Sequence, residues 1–290
     1  MKPPQFKYSR PETIDAVLSQ LSEHGDEAQI LAGGQSLVPL LNFRLSHPSV
    51  IVDIALVPEV KNLSSENGPL CIGAGVSQRK AECSALVSNK CTMLSRALPH
   101  VGHLQTRVRG TFGGSIAHAD PNAELPAVAL ALDATMHLAS ATGKRSVPAN
   151  DFFLGPYTTA LSPDELLTEV ELPILDNART AFLELSPTSG DFAVAGVCGF
   201  VTLDSSARVE KAGFSAFAVA PVPLRLTGVE TALHGQRLTA DVLDEVAAVA
   251  RGEVRIGSDD MHADDMHADG RYRAEMTGEL VHRALSEMAQ

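Results

Sequence analysis

Apolar residues recur at Ile14, Val17, Leu18 and Leu21, the period of a helix with one buried face. Pro11 suits the first turn of such a helix, so a helix is predicted over residues 11–21. Gln29–Ala32 is a short apolar run that reads as a strand, and Ser36–Leu41 follows as a turn of helix. Val50–Ile54 is β-branched and bounded by Pro48 and Pro58, the pattern of a buried strand. Together these make a compact βαβ-like unit to about residue 57. Cys71–Gly75 reads as a strand ending in a turn, Gln78–Leu86 and Thr92–Leu98 as helices, and Glu124–Leu132 as a further helix. Thr135–Ala139 and Lys144–Val147 are predicted to pair as a hairpin across Thr142-Gly143. Leu166–Leu172 is a strand that Pro173 ends. Asp176-Asn177 marks the expected domain boundary. Beyond it, Thr180–Leu185, Ala193–Leu203 and Ala212–Ala220 are strands, and Ala240–Arg251 and Arg271–Met288 are helices. Strands followed by helices predict an α+β C-terminal domain.

Composition narrows the classes. The 290 residues are 44% apolar, enough for two domains with a sizeable core. A net charge of −12 without a Lys/Arg cluster excludes a basic nucleic-acid-binding face. Trp is absent, which excludes a cofactor shielded by stacked tryptophans. Cys71, Cys83, Cys91 and Cys198 form no C-x-x-C pair and no zinc or iron–sulfur spacing. They are expected to be buried thiols of a reducing, cytoplasmic protein. The N-terminal residues lack the apolar stretch of a signal peptide, and no run of 18 apolar residues predicts a membrane span.

The chemistry concentrates in two glycine-rich segments, Ala32-Gly33-Gly34-Gln35-Ser36 and Thr111-Phe112-Gly113-Gly114-Ser115. Glycine pairs let backbone amides crowd a ligand, and several amides aimed one way form a nest for a phosphate. One such pair alone is commonly just a turn. Two with matched hydroxyls suit a ligand with two phosphates, a dinucleotide. The tandem Asp260-Met261-His262-Ala263-Asp264 and Asp265-Met266-His267-Ala268-Asp269 is read as a duplication in a solvated loop rather than a metal site, because partner ligands are not evident elsewhere.

On these residues the chain resembles the FAD-binding medium subunit of the molybdenum hydroxylases, the group that contains carbon monoxide dehydrogenase, quinoline oxidoreductase, the nicotine, nicotinate and caffeine dehydrogenases, and the flavin domain of xanthine dehydrogenase. The resemblance is carried by Ile30-Leu31-Ala32-Gly33-Gly34-Gln35-Ser36-Leu37, Gln105–Ser115, His118-Ala119-Asp120-Pro121, Gly190–Val197 and the C-terminal Tyr272-Arg273 with Leu280-Val281 and Arg283–Leu285. It runs nearly end to end. It implies an α+β protein: an FAD-binding domain over residues 1–175, built of two α/β subdomains (about 1–57 and 58–175), then a C-terminal domain over 176–290 with a three-stranded antiparallel sheet and helices.

The resemblance also implies roles. Ala32, Gly33, Gly34, Gln35 and Ser36 on one side, and Thr111, Gly113, Gly114 and Ser115 on the other, would grip the FAD pyrophosphate through amides and hydroxyls, with Leu37 and Ala117 as further cofactor-binding residues. Glu124 stands where relatives place a carboxylate on flavin hydroxyls, or is simply a helix-start acid favoured by the dipole. Asp120 is a further contact, or an N-cap before Pro121. Leu167 would bring backbone to the flavin ring. Phe192, beside Asp191, would lie against the isoalloxazine, or belong to the core of the C-terminal sheet. His118 is read as structural, not as an acid or base, and no metal ligand is expected. Two departures stand out: Ser186-Pro187-Thr188-Ser189 occupies a place where relatives carry basic residues, and Val108 one where many carry Asn. By resemblance the molybdopterin cofactor and two [2Fe–2S] clusters lie in partners, a large and a small subunit of an (αβγ)2 assembly. Electrons would cross the clusters to FAD and leave to NAD, oxygen, a quinone or a carrier protein. An N-heteroaromatic substrate is the expectation, with carbon monoxide dehydrogenase, a self-sufficient flavin oxidase and a non-redox nucleotide-binding assembly module as the alternatives.

Overall fold

The computed structural model describes residues 2–66, 68–257 and 268–290. The duplicated Met-His-Ala-Asp segment falls almost wholly outside the described residues.

The first unit is a three-stranded parallel sheet in which Val50–Asp53 lies between Lys7–Ser9 and Ala28–Leu31. The polar strand Lys7–Ser9 carried no hydrophobic alternation and escaped the sequence pattern. The helix Ile14–His24 buries Val17, Leu18 and Leu21 against Val50, Val52 and Ile54. It begins after Pro11 because the Thr13 hydroxyl accepts the Ala16 amide at 3.3 Å and caps it.

The middle of the chain forms a five-stranded antiparallel sheet in the order Leu63–Ser64, Leu70–Gly73, Leu166–Leu172, Thr135–Ser140, Gly143–Pro148. The predicted hairpin is present, with its turn at Ala141-Thr142, one residue earlier than expected. The expected helix 78–86 is two helices, Gln78–Glu82 and Ala85–Lys90, because Ser84 caps the second through the Val87 amide. The second glycine segment is not a loop: Phe112–His118 is a short helix with Thr111 as its N-cap. Helix Glu124–Ala131 is buried at all eight residues, having core on both sides.

The C-terminal sheet is antiparallel, Arg179–Leu185, Ala195–Leu203, Val209–Phe217, with the two-residue Leu224–Arg225 as a fourth strand beyond the expected three. Helices Thr227–Leu233, Ala240–Gly257 and Gly270–Ala289 cover one face, where Val246, Ala250, Val281 and Leu285 pack on Ala195, Val197 and Phe214. Cys198, Phe200 and Phe217 point the other way and join the core around Glu124–Ala131. Arg225 ties the halves, donating to the Leu130 carbonyl at 2.5 Å, to Asp133 at 2.9 Å and to Glu230. Of the cysteines, Cys91 and Cys198 are buried as expected. Cys71 is half-buried, and Cys83 is exposed at the end of its short helix, which corrects that expectation.

Candidate functional site

All sixteen residues singled out above border one cavity of about 1300 Å³. That exceeds the roughly 300–1,000 Å³ of ordinary small-ligand sites and suits an extended ligand. The cavity runs between the three-stranded sheet, the helix Phe112–His118, the five-stranded sheet and the leading edge of the C-terminal sheet.

One wall is the turn between strand Ala28–Leu31 and helix Leu37–Asn42. Gly34 has φ +75°, in the left-handed region that glycine enters freely. Among the described residues, the amides of Gly33, Gly34, Gln35, Ser36 and Leu37 donate to no protein acceptor. Such a run beside a cavity is chemistry for an anion. Gly33 also brings two chain segments together. A Cβ there would stand 2.2 Å from the Arg109 carbonyl oxygen and 2.7 Å from the Gly110 Cα.

The opposite wall works differently. The Phe112 amide donates to Val76 O at 2.8 Å, Gly113 to Ala74 O at 3.0 Å, Gly114 to Thr111 Oγ1 at 3.0 Å and Ser115 to Thr111 O at 3.2 Å. The expected second nest of amides is therefore absent, because all four are spent inside the protein. What this wall offers a ligand is the hydroxyls of Thr111 and Ser115 and the room glycine leaves: a Cβ on Gly113 would stand 2.3 Å from that of Ala74.

Helix Phe112–His118 ends at Ala119, whose φ is +50° and whose carbonyl accepts the Tyr157 amide at 3.0 Å. Tyr157 itself has φ +55° and packs its exposed ring 5.1 Å from that of His118. Burial holds the His118 pKa below its ordinary value, which favours a neutral imidazole. Asp120 accepts the Asn122 amide at 2.9 Å in a local turn, while Ala123 is the N-cap residue of the next helix, so Asp120 is not the cap. Glu124 opens that helix only 6% exposed, and burial pushes its carboxyl up to about 7. Behind it, His100 pairs with Glu184 at 3.0 Å, and this contact raises the imidazole pKa.

Leu167 reaches the cavity where a register shift between Leu167 and Glu169 breaks the ladder to Thr135–Ser140. At the far end, Gly190 (φ +91°) turns the chain, and the Thr188 hydroxyl donates to Asp191 at 2.6 Å. Phe192 follows, 66% exposed and outside strand Ala195–Leu203. This removes the alternative that Phe192 belongs to the sheet core.

Gln78, Tyr157 and Arg273 also border the cavity, and the sequence analysis assigns none of them a role in it. Gln78 is buried with Oε1 unpartnered. Arg273 is 3% exposed and donates to the carbonyls of Val194 at 2.5 Å and Ala218 at 2.6 Å. Its place in the Tyr272-Arg273 pair was visible, but nothing in sequence spacing sets a C-terminal helix against the glycine segments. Val108 is exposed.

Comparison with known proteins agrees with this geometry. Residues 4–175 match the family described as FAD binding domain in molybdopterin dehydrogenase, and residues 180–288 the CO dehydrogenase flavoprotein C-terminal domain. The 6-hydroxypseudooxynicotine dehydrogenase complex subunit alpha of Paenarthrobacter nicotinovorans is 37% identical over 99% of this chain and 95% of its own. A chain of carbon monoxide dehydrogenase from Hydrogenophaga pseudoflava superposes with a TM-score of 0.93 at 32% identity, covering 99% of this chain and 98% of that one. A chain of quinoline 2-oxidoreductase from Pseudomonas putida 86 does so at 0.92 and 33%, covering 100% and 99%. Two glycine segments joined through Gly33, the cavity they border and these matches over almost the whole length lead to one conclusion: the chain belongs to the FAD-binding medium subunits of the molybdenum hydroxylases.

Proposed function

We propose that this chain is the flavin relay of a heterotrimeric molybdenum hydroxylase. Its FAD would receive electrons from two [2Fe–2S] clusters in a small subunit and deliver them to an external acceptor. The substrate would react at a molybdopterin centre in a separate large subunit, in an (αβγ)2 assembly. The observation that carries this reading is the run of unpaired amides Gly33–Leu37 facing, across one cavity, the hydroxyls of Thr111 and Ser115. The residues fit the group: amides and hydroxyls without a lysine suit a pyrophosphate, since oriented dipoles supply the positive field. Each hydrogen bond to a charged oxygen contributes about 1.5–3 kcal/mol.

The remaining assignments follow the cavity's length. Ala32 and Ala117 leave space beside the phosphates, Gln35 closes its own turn on the Gly33 carbonyl at 3.3 Å, and Glu124 would bond a hydroxyl of the cofactor. Leu167 and Phe192 would hold the isoalloxazine, with Asp191 fixing the turn that presents Phe192. FAD, when bound, accepts electrons singly and releases them in pairs. We place the chain in the cytoplasm and its division into two domains near Asp176. Among the described residues no helix is long and apolar enough to cross a membrane.

We further propose an N-heteroaromatic substrate, in line with the quinoline-oxidising relative. Carbon monoxide is the second reading, favoured by the equally good superposition on a carbon monoxide dehydrogenase chain. The test is purification of the complex, an absorption spectrum, and chromatography of acid-released flavin. FAD, iron–sulfur absorbance and two co-purifying subunits are expected, and quinoline-type compounds should bleach the flavin anaerobically while carbon monoxide does not. A pure, folded chain that neither contains FAD nor takes it up would overturn the reading.

A further inference from the structure

The charges around the cavity are lopsided. Asp26, Asp120, Glu124, Glu165 and Asp191 border it, whereas among the described residues Arg273 is the only Lys or Arg that does. We propose that Arg273 is the cation that sets the reduction potential of the flavin held in this cavity. The inference rests on the proposed function, in which the flavin ring lies against Phe192.

Three features single Arg273 out. Its guanidinium cannot deprotonate, so its charge is permanent. It is 3% exposed, so water screens its field little. It is also fixed: two of its contacts are to carbonyls from different places, Val194 ahead of strand Ala195–Leu203 and Ala218 just after strand Val209–Phe217. Val194 is two residues beyond Phe192, so one short stretch of backbone presents the aromatic ring and anchors the cation. The segment Ser186–Ser189, ahead of Gly190, holds no basic residue.

The chemistry follows from charge balance. Reduction adds two electrons, supplied by the partner's iron–sulfur clusters, and one proton, taken from solvent. The ring thereby gains one negative charge. A fixed cation beside the ring favours that product, and charge near the ring is a principal means by which proteins tune flavins. Arg273 touches no reacting atom in this account; it is a positioning residue acting through its field.

The experiment compares the purified wild-type complex with Arg273→Gln and Arg273→Lys. Gln keeps an amide donor without charge, and Lys keeps the charge without the planar fork. The readouts are FAD content, the flavin midpoint potential by spectroelectrochemical titration, and the dissociation constant of the sulfite adduct at flavin N5. That adduct carries the same negative charge as the reduced ring. The expected result is FAD retained in both variants, with R273Q lowering the equilibrium constant for two-electron reduction about tenfold, some 30 mV more negative. R273Q should also weaken sulfite about tenfold, and R273K should stay close to wild type. Equal shifts in R273Q and R273K, or none in either, would overturn the proposal. Should both variants fail to fold, the wild-type complex decides alone: no adduct at millimolar sulfite overturns the proposal, and a stable one supports it. Phe192→Leu separates the two levels of reading. If it changes the flavin spectrum while R273Q leaves the potential unmoved, the charge argument fails and the ring placement survives. If it leaves the spectrum untouched, the placement itself has failed.

Discussion

Gly33→Ala tests how the site is joined. The added Cβ would stand 2.2 Å from the Arg109 carbonyl oxygen, 2.7 Å from the Gly110 Cα and 2.9 Å from the Arg109 carbonyl carbon. Cβ atoms essentially never approach a neighbour within 3.0 Å, so the two segments must part by at least the 0.8 Å between 3.0 and 2.2 Å. The obstructing atoms are backbone and cannot rotate away. The Gly110 carbonyl also accepts the Gln78 amide at 2.8 Å, and the Gly110 amide donates to Thr106 at 2.6 Å. A movement of that size on the Gly110 side, taken along the first of these bonds, would stretch it from 2.8 to about 3.6 Å, past hydrogen-bonding distance. Overpacking of this kind costs about 1–3 kcal/mol, a fall in Tm of roughly 2–4 °C per kcal/mol for a chain of this size. Cofactor binding should suffer more. If the gap removes two hydrogen bonds to phosphate, each worth about 1.5–3 kcal/mol, the Kd for FAD rises by about two to four orders of magnitude. The assay is FAD titration of the stripped complex by flavin fluorescence, with a thermal melt alongside. Gly143→Ala is the control: nothing lies within 4 Å of its added Cβ, and it should change stability by less than about 0.5 kcal/mol. A Gly33→Ala protein with wild-type FAD content and melting temperature would refute the reasoning.

Other outcomes follow from single contacts. Glu124 has its ordinary value of 4.5 pushed up to about 7 by burial, so the folded chain holds a proton that the unfolded chain releases. Stability is therefore full below about pH 4.5 and falls by about 3 kcal/mol as pH rises toward 7. Melts of the FAD-free chain should show that slope, and Glu124→Gln should flatten it; parallel slopes would contradict it. Thr111→Ala removes the cap on helix Phe112–His118 and should cost about 1 kcal/mol, read by denaturant melts, together with a lower affinity for FAD. Phe192→Ala should leave folding unchanged, since that ring is 66% exposed, yet raise the fluorescence of bound flavin; lost stability without a change in emission would place the ring in the core instead.

The parts of the fold that could be read in the sequence are those whose pattern is local. An apolar run that ends at a proline delimits Leu166–Leu172 to the residue. The helix runs Ile14–His24 where the pattern predicts 11–21, because its start depends on one hydroxyl, Thr13 accepting the Ala16 amide, and not on Pro11. Strands Lys7–Ser9 and Leu224–Arg225 were invisible for another reason. Each is an edge strand held by backbone pairing with a partner at least eight residues away, and neither needs apolar side chains. The uniformly apolar helix Glu124–Ala131 shows no amphipathic stripe because it has core on both faces, a fact of tertiary packing rather than of the segment itself.

The site shows where resemblance between motifs stops being resemblance in physics. Both segments carry a glycine pair followed by a serine, and both line the cavity. Among the described residues, only the first leaves its amides without a protein acceptor. In the second, Phe112 and Gly113 donate to Val76 and Ala74, carbonyls on the strand-to-helix connection of the five-stranded sheet, and Gly114 donates to the Thr111 cap. Its glycines serve close packing instead: Gly113 on Ala74, and Gly110 under Gln78 and behind Gly33. The two walls thus divide the work, one presenting donors and the other fixing the distance at which those donors stand. A glycine that packs and a glycine that frees an amide are the same letter in a sequence. The distinction depends on what lies opposite, which for Gly33 is a carbonyl 76 residues further along the chain, at Arg109. The same reasoning explains Arg273: a buried arginine in a C-terminal helix carries no local sign that its acceptors include the carbonyls of Val194 and Ala218, because only the folding of the sheet back onto the first half of the chain brings its charge to the cavity.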